Sequence, residues 1–286
     1  MAFLGGFHLK NQERLVTTIK KKRIIENIMQ LTVLPLLAER KQEPFDVFEA
    51  LLETLEKNNV KLQDDDILVI STKYISNSQG RIVDLSKIRT SEKGLEVSKK
   101  YRLKSEIAEI IVRESDKIFG GIGGFVITSA NNIMAPNAGI DKSNAKKDKA
   151  ILYPQNPYLI SEQIRRKVFL KMLIHVGVIL VDSRLMPARI GTSGVAVACA
   201  GIEPVLDMRA KKDLDDNPLK VTFQAVVDNI ATIANYKMGE GGESKPFAIV
   251  RNSEAKLTDR KISSSEMTIS PDQCVYVRGL SNPPAY

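Results

Sequence analysis

The residues of this chain best suited to chemistry are carboxylates that follow apolar runs or glycines. Asp141 follows Gly139-Ile140 in the polar loop Asn137-Ala-Gly-Ile-Asp-Lys-Ser-Asn144. Asp182 follows the apolar run Val176–Val181, with Ser183 beside it, and Glu240 lies in the break Gly239-Glu-Gly-Gly242. Carboxylates delivered from strand ends and loops, with a hydroxyl nearby, suit Mg²⁺ or Mn²⁺, hard ions that prefer oxygen. Such ions bridge nucleotide phosphates and neutralise charge that develops in phosphoryl transfer, and backbone N–H groups in Gly239–Gly242 could cradle phosphate oxygens. Each signal alone has a plainer explanation: an Asp after a strand forms turns, and a Gly-rich break after a helix is commonly a C-cap.

Other chemistries find little material. No run fits the Walker-type phosphate loop, and the cluster Gly120-Gly-Ile-Gly-Gly124 precedes a strand without dinucleotide-binding spacing, so it reads as a turn. Only two histidines are present: His8 lies near the N-terminus, and His175 lies between helix and strand in apolar surroundings, where a structural role is expected. Cys199 and Cys274 form neither a disulfide framework nor a zinc spacing. They read as buried thiols in a reducing, cytoplasmic compartment. No apolar stretch approaches the roughly 20 residues that span a bilayer, and Met1–Leu9 is apolar with its basic residues afterwards, the reverse of a secretory signal.

The net charge of +8 asks whether the partner is nucleic acid. Residues 1–30 carry six basic side chains against Glu13 and Glu26 and so supply half of it; the rest is mixed in sign, without a basic stripe or interleaved aromatics. That pattern suits a small polyanion such as a nucleotide and argues against a nucleic-acid track.

The elements that must position these residues follow from periodicity. Residues 1–30 read as a basic extension, 31–252 as the body and 253–286 as a polar tail. Phe45, Phe48, Leu51, Leu52 and Leu55 space a helix with Pro44 in its first turn. Lys104–Phe119 reads as one amphipathic helix, and Ser161–Leu173 as another with Ser161 as N-cap and Glu162 in its first turn. Strands are expected over Ile67–Ile70, Phe125–Thr128, Val176–Val181, Val195–Cys199 and Phe247–Val250, with Asp182 directly ending the third. Val221–Met238 should begin extended and become helical. Helices and strands alternate without a regular βαβ period, which predicts an α+β body with mixed sheets and packed helices.

Taken as a group, the runs resemble the coenzyme F420-0:L-glutamate ligase (gamma-glutamyl ligase) family. Asn137–Asn144 is similar to its N-A-G-[VI]-D-x-S-N signature, and Asp182-Ser183 falls at its Asp-Thr. Gly201-Ile-Glu-Pro204 with Asp207-Met-Arg209, Leu219-Lys-Val-Thr222, Met238-Gly239 and Pro246–Arg251 resemble later family runs, and Ile67–Arg81 an earlier strand-S-K-x-x-S-K-x-E-G-R segment. The resemblance runs in order from about Leu31 to Asn252. It implies an intertwined α+β homodimer and GTP-dependent ligation of L-glutamate to the carboxylate of F420-0, with GTP as cosubstrate, two Mg²⁺ or Mn²⁺ ions and a monovalent ion such as K⁺ assisting. By position, Asp141 and Asp182 would hold one metal, and Ser183 with Glu240 the second. Asp141, Asp182 and Arg189 would be catalytic, while the Leu34-Pro35 turn, Ser71, Lys73, Asn144 and Gly239, Gly241 and Gly242 would contact GTP.

Departures cluster in one stretch. Where the family continues F-G-R-P-W-R-x-G-Q-T-D, this chain has Arg184-Leu-Met-Pro-Ala-Arg-Ile-Gly-Thr-Ser-Gly194. Met186 replaces an Arg, Ala188 the Trp and Gly194 the Asp, which removes a cation and a stacking plane near the acceptor pocket that the resemblance implies. Asn77 stands where a phosphate-binding Lys is expected, and Gln79 where Glu is usual. Three functions are therefore weighed: a glutamate ligase acting on F420-0, a ligase of the same chemistry with another acceptor, and a non-catalytic nucleotide- or nucleic-acid-binding protein.

Overall fold

A computed structural model of the chain describes residues 30–41, 43–130, 133–143 and 145–281. The basic extension up to residue 29, and Asn144 of the proposed nucleotide contacts, lie outside the described residues.

The centre is a five-stranded mixed sheet in the order β1 (Thr32–Leu36), β12 (Phe247–Arg251), β2 (Ile67–Ser71), β8 (Gly177–Leu185), β9 (Thr192–Ala200). Only β2 and β8 run parallel. Their apolar runs are continuous because both faces are covered. Leu68, Ile70, Val178 and Leu180 point into one core, beneath α1 (Val47–Lys57) and α5 (Pro157–Met172). Ile67, Val69, Ile179 and Val181 point into the other, against α6 (Val226–Met238), which turns Val227, Ile230, Ala231, Ala234 and Met238 inward at helical spacing. Ile262 is buried in this second core and Leu257 and Met267 pack on it, so part of the polar tail joins the body.

A smaller lobe joins a three-stranded sheet, β4 (Lys117–Ile122), β5 (Phe125–Ala130) and β6 (Ile133–Pro136), to α3 (Glu92–Tyr101) and α4 (Ser105–Glu114). The short pairs β3 (Ile82–Asp84) with β7 (Lys149–Ile151) and β10 (Val205–Asp207) with β11 (Phe223–Ala225) complete the described strands, together with α2 (Thr72–Ser78) and α7 (Val275–Ser281). The α+β class with mixed sheets is as expected.

Several local expectations are corrected. Leu34-Pro35 is no turn but the middle of β1, an edge strand, where a residue without N–H is tolerated. Pro44 precedes the helix, whose N-cap is Asp46, its carboxylate accepting from Phe48 N at 2.7 Å. The helix read over Lys104–Phe119 stops at Glu114, and Gly120–Ile122 belong to β4 rather than to a turn. Ser161 lies inside α5, which starts four residues earlier at Pro157, and its hydroxyl bonds the Pro157 carbonyl at 2.8 Å. Asp182 does not end its strand, since β8 continues to Leu185. His175 is exposed; its backbone N–H donates to Asp64 at 2.8 Å and its ring lies tilted at 46° against Phe169, away from the cavity-lining residues.

Candidate active site

The site forms where the parallel pair ends. β2 pairs with β8 as far as Ser71 opposite Val181 and then turns into α2, so the edge of β8 that β2 had covered opens at Asp182. Ligands in open α/β sheets commonly sit outside such carboxyl ends. The chain after β1 and the loop before β12 reach the same end, and Ala38 N–H bonds Ser244 O while Ser71 N–H bonds Pro246 O, both at 2.9 Å. Between them lies a cavity of about 370 Å³ lined by Ser71, Lys73, Asp141, Asp182, Ser183 and residues 239–246, with Arg40, Lys41, Asn77 and Asn235.

Strand geometry divides the acidic residues into two groups. A register shift between Leu180 and Val181 in the pairing with β9 immediately precedes Asp182, and bulges of this kind re-aim side chains beside sites. Successive residues then point to opposite faces. Asp182 faces Asp141, whose charge adds to desolvation in raising the Asp182 pKa, while Arg184 and the Thr72 hydroxyl oppose that rise. The Asp182 side chain keeps 28% exposure, yet protein packed around it is enough for desolvation to dominate. Ser183 faces α6 and the loop that follows it, where its hydroxyl lies 2.7 and 2.8 Å from the two Glu240 oxygens, and Asn235 Nδ2 donates to Glu240 Oε1 at 2.7 Å.

The loop Asn137–Ser143 presents Asp141. Asn137, Ala138 and Gly139 all take positive φ. A Cβ on Gly139 would meet the Tyr153 ring at 2.5 Å, so only glycine lets the ring pack there. Asn137 Oδ1 accepts from Val126 N at 2.9 Å, which ties the loop to β5. Asp141 then exchanges both backbone hydrogen bonds with Ile151, and its carboxylate receives Ser143 N–H and an ion pair from Lys73 Nζ at 2.6 Å. The signature is thus mostly a scaffold for one carboxylate.

Among the described residues no three His, Cys, Asp or Glu side chains converge as a ready-made metal cage. The donors present are nonetheless all oxygens, in two partial sets: Asp141 with Asp182, and Ser183 with Glu240. Partial sets fit Mg²⁺ or Mn²⁺, which commonly take one or two carboxylates and complete their shells with phosphate and water. The half-buried carboxylate of Asp182, lining the same cavity as Asp141, favours a cation there.

Of the residues expected at the site, Ser71, Lys73, Asp141, Asp182, Ser183, Gly239, Glu240, Gly241 and Gly242 meet in the cavity. Leu34 and Pro35 do not line it. Nor does Arg189, which is exposed in the β8–β9 connection with its N–H on Met186 O. Sequence reasoning missed Asn235, one turn before the glycine break, and Ser143, two residues after Asp141, where an Asx-type turn is a readable cue. It also missed Glu243, which folds back so that Gly241 N–H donates to Oε2 at 2.8 Å. Gln79, in place of Glu, clamps both backbone groups of Gln155 at 2.9 and 3.0 Å.

Comparison with known proteins agrees with this arrangement. Residues 40–252, which contain all the cavity-lining residues except Ala38 and Glu39, match the family described as F420-0:Gamma-glutamyl ligase. The coenzyme F420:L-glutamate ligase of Methanocaldococcus jannaschii is 34% identical over 201 residues, 70% of this chain and 80% of the relative. That of Archaeoglobus fulgidus is 32% identical over 200 residues, again 70% and 80%, and that of Methanopyrus kandleri 29% over 228 residues, 79% and 89%. With the match continuous across both acidic groups and the glycine loop between α6 and β12, the chain belongs to the F420-0:gamma-glutamyl ligase family.

Proposed function

We propose that this protein is a cytoplasmic, homodimeric ligase that uses GTP and divalent metal ions to join L-glutamate to the carboxylate of F420-0. The observation that carries the reading is one cavity in which two oxygen-donor groups face basic side chains and a glycine loop. The dimer is supported by apolar side chains left exposed on the small lobe, Ile122, Phe125 and Met134 among them. No helix among the described residues is long and apolar enough to cross a membrane.

In this reading Lys73, Arg40 and Lys245 hold the phosphates, and the loop at Gly239–Gly242 fixes their approach. Asp141, Asp182, Ser183 and Glu240 would hold Mg²⁺ or Mn²⁺, which when bound would neutralise charge on the polyphosphate. An acceptor carboxylate oxygen attacks the γ-phosphorus as the bond to the β-phosphate oxygen breaks, releasing GDP and leaving an acyl phosphate. The glutamate nitrogen then attacks the acyl carbon, sheds its proton, and inorganic phosphate leaves with the acyl C–O bond. The protein's part is positioning and electrostatics.

Glu243 bears directly on nucleotide affinity. Its carboxylate bonds the Gly241 N–H and would sit close behind both Gly239 and Gly241, so it repels a polyphosphate and engages a donor that a phosphate would use. Glu243→Gln is expected to lower the KM for GTP about threefold to tenfold, the scale of one partly screened charge. Initial rates against GTP concentration test this, and an unchanged KM rejects it.

A second reading keeps the chemistry and changes the acceptor. It is favoured by the β8–β9 connection, where Leu185, Met186 and Ile190 are exposed and apolar in place of a cationic, aromatic surface. Incubation of the full chain with GTP, Mn²⁺, L-glutamate and F420-0, followed by mass spectrometry, separates the two. A glutamyl adduct is expected. GTP turnover only with other acids establishes the second reading, and metal-independent nucleic-acid binding without any turnover overturns both.

A further inference from the structure

Arg184 stands where the run that this stretch resembles carries a neutral aromatic residue, F in F-G-R-P-W. It is only 4% exposed. A buried guanidinium is costly unless it is paired and hydrogen-bonded, so its partners reveal its purpose. Nη1 donates to Met134 O at 2.9 Å, on β6 of the small lobe. Nη2 donates to the Tyr153 hydroxyl at 2.8 Å, and the guanidinium carbon lies 5.3 Å from the centre of the Tyr153 ring. Tyr153 is itself seated by the close approach to Gly139, two residues before Asp141.

The remaining nitrogen, Nε, is sealed from water and lies 2.8 Å from Asp182 Oδ2. The contact is an ion pair rather than an aligned hydrogen bond, and Nε makes no other. The period of the strand puts residues 182 and 184 on one face of β8, so the pair is built into the element. Asp182 is therefore held from two sides, by Arg184 along its own strand and by the Thr72 hydroxyl at the start of α2.

We propose that Arg184 is a positioning residue for Asp182, fixing the carboxylate toward Asp141 so that the two can share a hard divalent cation. The inference rests on the metal-binding reading above. Arg184 does not line the cavity; it acts through Asp182, as outer-shell partners of metal ligands generally do. Tyr153 and Met134 O act one step further out, by holding the guanidinium.

The test is titration of the nucleotide-free full chain with Mn²⁺ alone, read by electron paramagnetic resonance of the unbound ion, with thermal midpoints measured in parallel. Arg184→Met is expected to weaken Mn²⁺ binding about 10- to 100-fold, the usual range for loss of an outer-shell partner. Arg184→Lys, which keeps the charge and loses the fork, should recover part of that loss. Tyr153→Phe leaves Asp182 and the cavity untouched and removes one anchor of the guanidinium; a loss of a few-fold is expected. Unchanged or tighter Mn²⁺ binding by folded Arg184→Met overturns the proposal. Should that variant not fold, unchanged affinity in Tyr153→Phe overturns it instead. A native chain that takes up no Mn²⁺ removes the metal reading and this inference together, whereas native binding matched by all variants removes this inference alone.

Discussion

Asp182→Asn is expected to lower turnover by at least about 10²- to 10³-fold, the scale of losing one group that stabilises charge in a transition state, while the fold survives. The substitution keeps the shape of the side chain and removes the charge that a divalent cation would need. Loss of a buried ion-pair partner usually destabilises strongly, so survival of the fold requires an argument. Arg184 retains hydrogen bonds to Met134 O and the Tyr153 hydroxyl after the change. Desolvation also raises the Asp182 pKa in the folded protein. An acid whose pKa rises on folding stabilises the fold below its unfolded value and loses that contribution as pH climbs through the folded one, and neutral Asn escapes the desolvation that opposes the charged form. The two effects offset, and a stability change within about 1–2 kcal/mol is expected. Steady-state rates with denaturation of the same preparation check both parts. Retained turnover would show that Asp182 is not a metal ligand.

The sequence readings that succeeded share one physical basis. Ile67–Ile70, Val176–Val181 and Phe247–Val250 are continuous apolar runs because their strands are buried on both faces, and burial of that kind leaves an unambiguous trace. The polar end of β8 leaves none. Asp182, Ser183 and Arg184 alternate faces and each finds a partner far away in sequence, on α2, α6 and β6. Local pattern therefore stops the strand four residues early, and with it goes the reason that Asp182 and Ser183 serve different groups. α4 and β4 fail for a related cause: Ile118 continues a helical spacing from Ile107, Ile110 and Ile111, but the Ser115 side chain bonds the Ile111 carbonyl at 2.6 Å and the backbone turns extended. That competition between side chain and ladder cannot be read from periodicity.

Site residues divide along the same line. Those carried by short motifs, Asp141, Asp182, Ser183 and the glycine loop, meet as expected because each motif sits at the same end of the central sheet. Leu34, Pro35 and Arg189 depend on where whole elements travel, and in the single chain they do not line the cavity. The parallel pairing of β2 with β8 is what creates the opening, and two separated apolar runs do not disclose their direction.

Gly194→Asp carries the second large expectation, and it concerns a position that pattern alone assigns to recognition. The family run ends in Asp where this chain has Gly194, which suggests a lost acceptor contact. In the structure Gly194 is buried, paired with Ser183 across β8 and β9, and pressed against α6. A Cβ there would lie 2.5 Å from the Asn235 Cβ and 2.6 Å from the Ala231 carbonyl oxygen. Helix backbone cannot yield by rotating a side chain, so β9 and α6 would have to part. The cost of overpacking joined to that of a carboxylate buried without a partner is expected to reach about 3 kcal/mol or more. Gly194→Ala separates the terms, since it meets the same backbone without the charge and should lose about 1–3 kcal/mol. Urea unfolding with unchanged m-value measures both. Stability equal to the parent in Gly194→Asp would refute the close β9–α6 contact. The consequence for function is indirect: Asn235 carries the hydrogen bond that holds Glu240 beside Ser183, so restoring the family's side chain here would pull apart one oxygen-donor group of the cavity instead of restoring acceptor recognition.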